Sequence, residues 1–219
     1  METSRYNGPP GDLLADTVLE DVPGADGRFA AVIPEAWRVL YAFGGVTLAL
    51  ALRAAIAHAQ RPDLTLISCD ATYCQAIPTG PVVVDVETLR AGRGGAQYQV
   101  RVWSGVEATG PAGSDLVVTV VMGAVRDEAP GMVAPSRFPV DAGRPLDHPL
   151  RSAPDERSSF PRVPYHEQTE LRLAVGRMPW EIEEGSGTDA RAVSWFRFNT
   201  PVTVEERWPA WALAVPADI

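Results

Sequence analysis

Apolar and polar positions change period several times along the chain, and each change marks an element. Between Ala96 and Trp103, Tyr98, Val100 and Val102 alternate with Gln97, Gln99 and Arg101, the period of two expected of a strand with one buried and one wet face. Leu64 to Gln75, Val82 to Leu89 and Leu116 to Val125 also read as strands, with turns at Gly92-Arg93-Gly94-Gly95 and in the stretch 104–115. Leu13 to Val22 and Gly27 to Ile33 read as two more strands, placed around Pro23-Gly24-Ala25-Asp26-Gly27. Between the two groups Gly44-Gly45 opens VTLALALRAAIAHAQ, rich in Ala and Leu and stopped by Arg61-Pro62. Its apolar residues surround nearly the whole circumference, so the pattern predicts an enclosed helix.

Strand, strand, enclosed helix and an antiparallel run of four strands is the element order of a hotdog unit, a curved sheet wrapped around one helix. A helix of about 15 residues spans roughly 22 Å, about the width of five or six strands at their usual spacing. The stretch from Arg126 to Pro164 then carries eight of the chain's 20 prolines. Each removes a backbone donor and fixes φ, so this stretch reads as a connector. Beyond it the order begins again. Glu167 to Val175 alternates as a strand, Arg191 to Phe198 is an aromatic-rich strand, and Asp189-Ala190-Arg191 echoes Asp26-Gly27-Arg28. Equal spacing places a second central helix near Glu205 to Ile219. The expected organisation is a first hotdog unit at 1–125, a connector at 126–164 and the start of a second, incomplete unit at 165–219. The fold class is α+β, a double hotdog.

Composition narrows the partners. The 219 residues carry 19 Lys plus Arg against 28 Asp plus Glu, a formal net charge of −9. A nucleic-acid binder normally carries a basic face, so no nucleic acid is expected. The N-terminus has no basic region followed by an apolar run, which points to a cytoplasmic protein. Val46 to Ala59, the most apolar stretch, contains Arg53 and His58 and is shorter than the roughly 20 residues of a membrane span. Cys69 and Cys74 sit five apart in one extended segment, hence on opposite faces, and read as reduced thiols. His58, His148 and His166 are scattered, so neither a metal site nor a cofactor is expected.

The stretch AFGGVTLALALRAA, followed by strands ending in VVVDVETLRAGRG, resembles the first half of the acyl-CoA thioesterase II family, which are double-hotdog hydrolases. WFRFNTPVTVEERWPAWALAVPADI is similar to the opening of that family's second half, an aromatic strand, an acidic connector and a helix. The resemblance covers most of 12–125 and 166–219 and leaves out the proline-rich connector. It implies an acyl-CoA substrate and hydrolysis of its thioester to free acid and coenzyme A.

Thioester hydrolysis needs a water activated by a general base and donors aimed at the oxyanion. Gly44-Gly45 at a helix start offers backbone N–H groups at the positive end of the macrodipole; equally, two glycines simply let the chain turn tightly there. The substrate-side expectation takes Gly45 N–H as carbonyl donor, with Gly44 and Phe43 as substrate-binding positions. Single-hotdog thioesterases commonly carry a carboxylate on the central helix, but Val46 to Gln60 contains none. The resemblance puts the base on the second helix, at Asp218. It also implies a Ser or Thr hydroxyl and a Gln amide on later strands, positions that would fall beyond Ile219. Pro216 sits awkwardly for a helical reading there.

Other candidates are weaker. Ser68, Thr72 and Ser194 lack His and acid partners at triad spacing. Gly92 to Gly95 has no phosphate-loop Lys-Ser or Lys-Thr. Trp195, Phe196, Phe198, Trp208 and Trp211 line an acyl tunnel or form core, and Arg90, Arg93 and Arg101 meet coenzyme A phosphates or form a solvated rim. Two functions are carried forward: an acyl-CoA thioesterase, expected as a homodimer, and a catalytically inactive acyl-CoA-binding or assembly hotdog protein.

Overall fold

Alternation sorts strand residues onto two faces, and one face of each strand closes on the glycine-led helix. The computed structural model describes residues 6–106, 113–124, 143–151, 161–178 and 192–218. Its first part contains a helical turn α1 (Leu13–Asp16), β1 (Glu20–Asp21), β2 (Arg28–Ile33), helix α2 (Gly44–Ala59), β3 (Leu64–Tyr73), β4 (Gly80–Gly92), β5 (Gly95–Ser104) and β6 (Leu116–Ala124). The six strands form one antiparallel sheet in the order β1-β2-β4-β5-β6-β3.

The buried face is the alternating set: Phe29, Ala31 and Ile33 of β2, Val82, Val84 and Val86 of β4, Tyr98, Val100 and Val102 of β5, and Leu116, Val118 and Val120 of β6. Helix α2 packs on β4, β5 and β6 through Val46, Ala49, Leu50 and Ala54, all fully buried. Burying one such Val or Leu contributes roughly 1.5–3 kcal/mol, so this layer is a large source of stability for the six-stranded sheet and its helix. The helix ends where Gln60 turns left-handed, at φ 48, just before Arg61-Pro62. A two-residue loop, Arg93-Gly94, joins β4 to β5 with Gly92 paired to Gly95, the hairpin turn expected of the glycine run.

Three expectations are corrected. Leu13 to Asp16 is a helical turn, because the Asp12 carboxylate caps it by accepting from the N–H groups of Leu14 and Ala15 at 3.0 and 3.2 Å. The strand expected there shrinks to Glu20–Asp21. The helix expected over Glu205 to Ile219 forms only as a 3-10 turn at Ala210–Leu213 running into α3 (Ala214–Ala217). Glu205 and Glu206 take positive φ values of 50 and 64 in a turn closed between Val204 and Arg207, which no helix tolerates. Pro216 falls in the first turn of α3, where its missing donor costs little.

The second part pairs β7 (Thr169–Val175) with β8 (Val193–Phe198), antiparallel. Asp189-Ala190-Arg191 and most of the proline-rich stretch lie outside the described residues. Gln168, buried, ties the two parts together. Its side chain accepts from Gly11 N–H at 2.7 Å and donates to the Pro164 carbonyl at 2.9 Å. Strand β3 forms one edge of the six-stranded sheet; Cys69 on it and Cys74 just past its end are exposed and unbridged. No helix among the described residues is long and apolar enough to cross a membrane.

Candidate active site

The amino end of α2 lacks a local cap. Phe43 occupies the capping position in extended conformation and offers no side-chain acceptor to the first-turn N–H groups. The acceptor comes from 173 residues away: Asp218 Oδ2 receives the Gly45 N–H at 2.8 Å. A carboxylate thus sits on the positive end of the buried helix.

The two glycines make this approach possible. A Cβ on Gly44 would lie 2.6 Å from Asp218 Oδ2 and 3.2 Å from the Tyr73 hydroxyl. A Cβ on Gly45 would lie 2.7 Å from Val215 Cα and 2.8 Å from the Ala214 carbonyl oxygen. The pair is therefore a docking notch that receives the 210–218 segment. Burial of Trp211, Ala212 and Val215 holds that segment down, and the Arg53 guanidinium lies 4.8 Å from the centre of the Trp211 ring. Arg53 also donates to the Leu14 carbonyl and the Thr17 hydroxyl at 2.7 and 2.6 Å, so one side chain of α2 touches both parts of the protein.

The Gly44–Gly45 peptide is held on both sides. Asp218 takes its N–H, while the hydroxyls of Tyr73 and Thr47 both donate to the Gly44 carbonyl at 2.8 Å. Burial, with the Asp218 charge second, pushes the Tyr73 phenol up to about 12, so it stays protonated and a donor at neutral pH. Asp218 keeps an exposed side. Its packing against the helix end pushes its carboxyl above the ordinary range, and the Gly45 N–H opposes that shift. Its Oδ1 makes no hydrogen bond to the described residues, which leaves one carboxylate oxygen for a water.

Of the residues expected from sequence, Asp218, Gly45 and Gly44 meet at one point. The role expected of Gly45 changes: its N–H is engaged by Asp218, so here it orients the carboxylate instead of facing a substrate carbonyl. The Phe43 ring stacks on Tyr165 at 4.0 Å between centroids and is turned to that contact. Tyr73 was not singled out by sequence, because a tyrosine closing an edge strand carries no local mark of what it faces. The aromatic alternatives resolve toward packing: Phe196, Phe198 and Trp208 meet one another edge-on or tilted at 5.0–6.0 Å. Arg101 pairs with Glu87 at 3.1 Å on the rim of the sheet. Among the described residues no group of three or more His, Cys, Asp or Glu is placed to hold a metal.

Comparison with known proteins agrees with this architecture. Residues 33–124 match the sequence model of the family described as acyl-CoA thioesterase N-terminal domain. A conserved protein of unknown function with a hot dog fold from Alicyclobacillus acidocaldarius superposes with a TM-score of 0.72 at 21% identity, over 94% of this chain and 68% of that one. An acyl-CoA thioesterase II from Mycobacterium marinum gives 0.64 at 17% identity, over 94% and 68% of the two chains. The tesB protein of Mycobacterium avium subspecies paratuberculosis gives 0.64 at 19%, over 96% and 69%. At these identities the likeness shows the fold, α+β of hotdog type, and the chain spans about two thirds of each relative's length. No curated protein matches the sequence.

Proposed function

We propose that this protein, whose residues 33–124 match the model of the acyl-CoA thioesterase N-terminal domain, hydrolyses the thioester of a fatty or small acyl-CoA to free acid and coenzyme A. The observation that carries the reading is the Asp218 carboxylate fixed 2.8 Å from the Gly45 N–H at the mouth of the buried helix. Asp218 acts as general base: through Oδ1 it takes a proton from water as the water oxygen bonds to the thioester carbon. The Tyr73 hydroxyl swings from the Gly44 carbonyl to the carbonyl oxygen that becomes anionic. Collapse of that intermediate breaks the carbon–sulfur bond, and the proton held by Asp218 returns to the departing thiolate. Gly45 positions the base, Gly44 leaves room for it, and Phe43 with Tyr165 walls the junction.

We further assign residues 1–125 to a first hotdog unit, 126–164 to a connector and 165–219 to the start of a second, in a cytoplasmic homodimer. The open edge of β3 supports the dimer, since unpaired strand edges favour pairing with another strand. A sedimentation mass near 23.5 kDa at micromolar concentration would count against it.

One observation favours the second reading, an inactive acyl-CoA-binding protein: Asp218 already serves as a helix cap. The deciding experiment measures thiol release from acyl-CoAs of several chain lengths by the protein and its Asp218→Asn variant. The carboxamide still accepts from Gly45 but is no base. Equal rates would remove Asp218 from the chemistry, and binding without turnover in either protein would leave the inactive reading.

A further inference from the structure

The hydroxyls of Tyr73 and Thr47 are both spent on the Gly44 carbonyl. A further hydroxyl near the start of α2 is not: that of Tyr165 makes no hydrogen bond to the described residues, although Tyr165 is 8% exposed and its oxygen is shut off from solvent. A buried polar group without a partner costs about as much free energy as a lost hydrogen bond, and folded proteins keep few of them.

The rest of Tyr165 is firmly held. Its N–H donates to the Arg38 carbonyl at 3.1 Å, and its own carbonyl accepts from the Gln168 N–H at 3.0 Å. Its ring lies on that of Phe43 with an interplanar angle of 23°. Phe43 is the capping residue of α2, and its Cε1 would stand 2.9 Å from a Cβ on Gly45, the residue whose N–H holds Asp218. Contacts therefore run unbroken from the Tyr165 ring to the carboxylate. Burial pushes the Tyr165 phenol well above the ordinary tyrosine range; the Thr169 hydroxyl opposes that rise without completing a hydrogen bond, and the Asp218 charge adds to it. Tyr165 is thus a protonated donor in the field of Asp218. Asp218 is exposed while Phe43 and Gly44 are half-buried, so the notch opens to solvent beside the stacked rings.

We infer that the Tyr165 hydroxyl is a second donor to the thioester carbonyl oxygen of an acyl-CoA in the Asp218 notch, reached once the acyl group parts the Phe43–Tyr165 stack. This rests on the reading of that notch as the thioester's site. Oxyanion donors count most when they are fixed in advance in a site that excludes water. Tyr73 must break its bond to the Gly44 carbonyl before it can serve, whereas Tyr165 has no bond to break. Its proton is not transferred: the O–H stays intact, and its hydrogen bond strengthens as the carbonyl oxygen gains charge. The partner missing from the free protein is the substrate.

Tyr165→Phe removes the hydroxyl and keeps the stacked ring. Loss of an unpaired buried hydroxyl should leave the variant melting at or above the unaltered protein by circular dichroism. Thiol release from acyl-CoAs of several chain lengths should nonetheless fall at least about tenfold in kcat, with a rise of about threefold in KM. Calorimetry with ketone analogues of butyryl- and palmitoyl-CoA, in which a methylene replaces the sulfur and the carbonyl remains, should show affinity weakened about threefold in the variant, the size of one neutral hydrogen bond. A variant melting more than about 2 °C below the unaltered protein would show that the hydroxyl serves the fold, and would overturn the proposal. So would failure of the unaltered protein to bind either analogue at millimolar concentration. If Asp218→Asn abolishes thiol release while Tyr165→Phe leaves kcat and analogue affinity unchanged, the donor falls and the hydrolysis stands. If no protein releases thiol but the variant binds the analogues more weakly, the hydrolysis falls and the donor stands.

Discussion

Replacing Gly45 by Ala sets two effects against each other, and the geometry decides between them. Alanine is the better helix former, worth up to about 1 kcal/mol over glycine. The added Cβ, however, would stand 2.7 Å from Val215 Cα and 2.8 Å from the Ala214 carbonyl oxygen, both main-chain atoms that cannot rotate away. Overpacking of this kind costs about 2 kcal/mol at the middle of a range of roughly 1–3, so the net loss is about 1–2 kcal/mol. For a chain of this size that lowers Tm by about 2–8 °C. Circular dichroism melting of Gly45→Ala beside Gly94→Ala measures it. A Cβ on Gly94 meets nothing within 4 Å, so that variant should melt within about 1–2 °C of the unaltered protein. A Gly45→Ala protein that melts at or above the unaltered one would show that the 210–218 segment does not dock on the helix as described. Gly44→Ala provides an internal contrast. Its Cβ would meet a side-chain oxygen of Asp218, which can move, so stability should suffer less while the Gly45–Asp218 hydrogen bond is lost.

The remaining predictions concern charge. Because packing raises the Asp218 carboxyl, thiol release should fall as pH drops through that raised pKa; Asp218→Asn should lose at least about 100-fold in kcat/KM and the acid limb with it. The same raised pKa means the folded state holds the proton more tightly, so the aspartate's contribution to stability declines as pH rises from the ordinary carboxylate range to the raised value; Asp218→Asn should lack that decline in urea titrations across the window. His166 behaves oppositely. Its pKa, lowered to about 4 by burial, makes the unfolded chain take up the proton first, so stability should fall as pH drops from about 6.5 toward 4 by at most about 1.4 kcal/mol per unit. His166→Gln should flatten that slope. Arg53→Ala strands the Leu14 carbonyl and the Thr17 hydroxyl and uncovers Trp211, which should cost roughly 2–3 kcal/mol in denaturant unfolding; Arg53→Lys should recover only part.

Much of the first unit is legible in the chain because the forces that specify it are local. The two-residue alternation through Tyr98, Val100 and Val102 assigns each side chain to a face, and the all-round apolar run after Gly44-Gly45 requires a helix enclosed by those faces. Where a local signal outweighed the pattern, at the Asp12 cap or in the turn at Glu205 and Glu206, the expected strand and helix contracted. The identity of Asp218 as a base candidate came from a resemblance, since a lone aspartate following Pro216-Ala217 carries no spacing that marks it.

What the sequence determines by itself is the order of elements, the buried face of each strand and the presence of glycines where the helix begins. Tertiary structure alone decides what those glycines are for. No periodicity links residues 173 positions apart, yet the Gly45 N–H finds its acceptor at Asp218, and Tyr73 reaches the same peptide from the edge of the sheet. An uncapped helix end demands an acceptor. Which residue supplies it depends on how the second part of the chain folds back onto the first, a choice made by the packing of Trp211, Ala212 and Val215 and invisible in any local window.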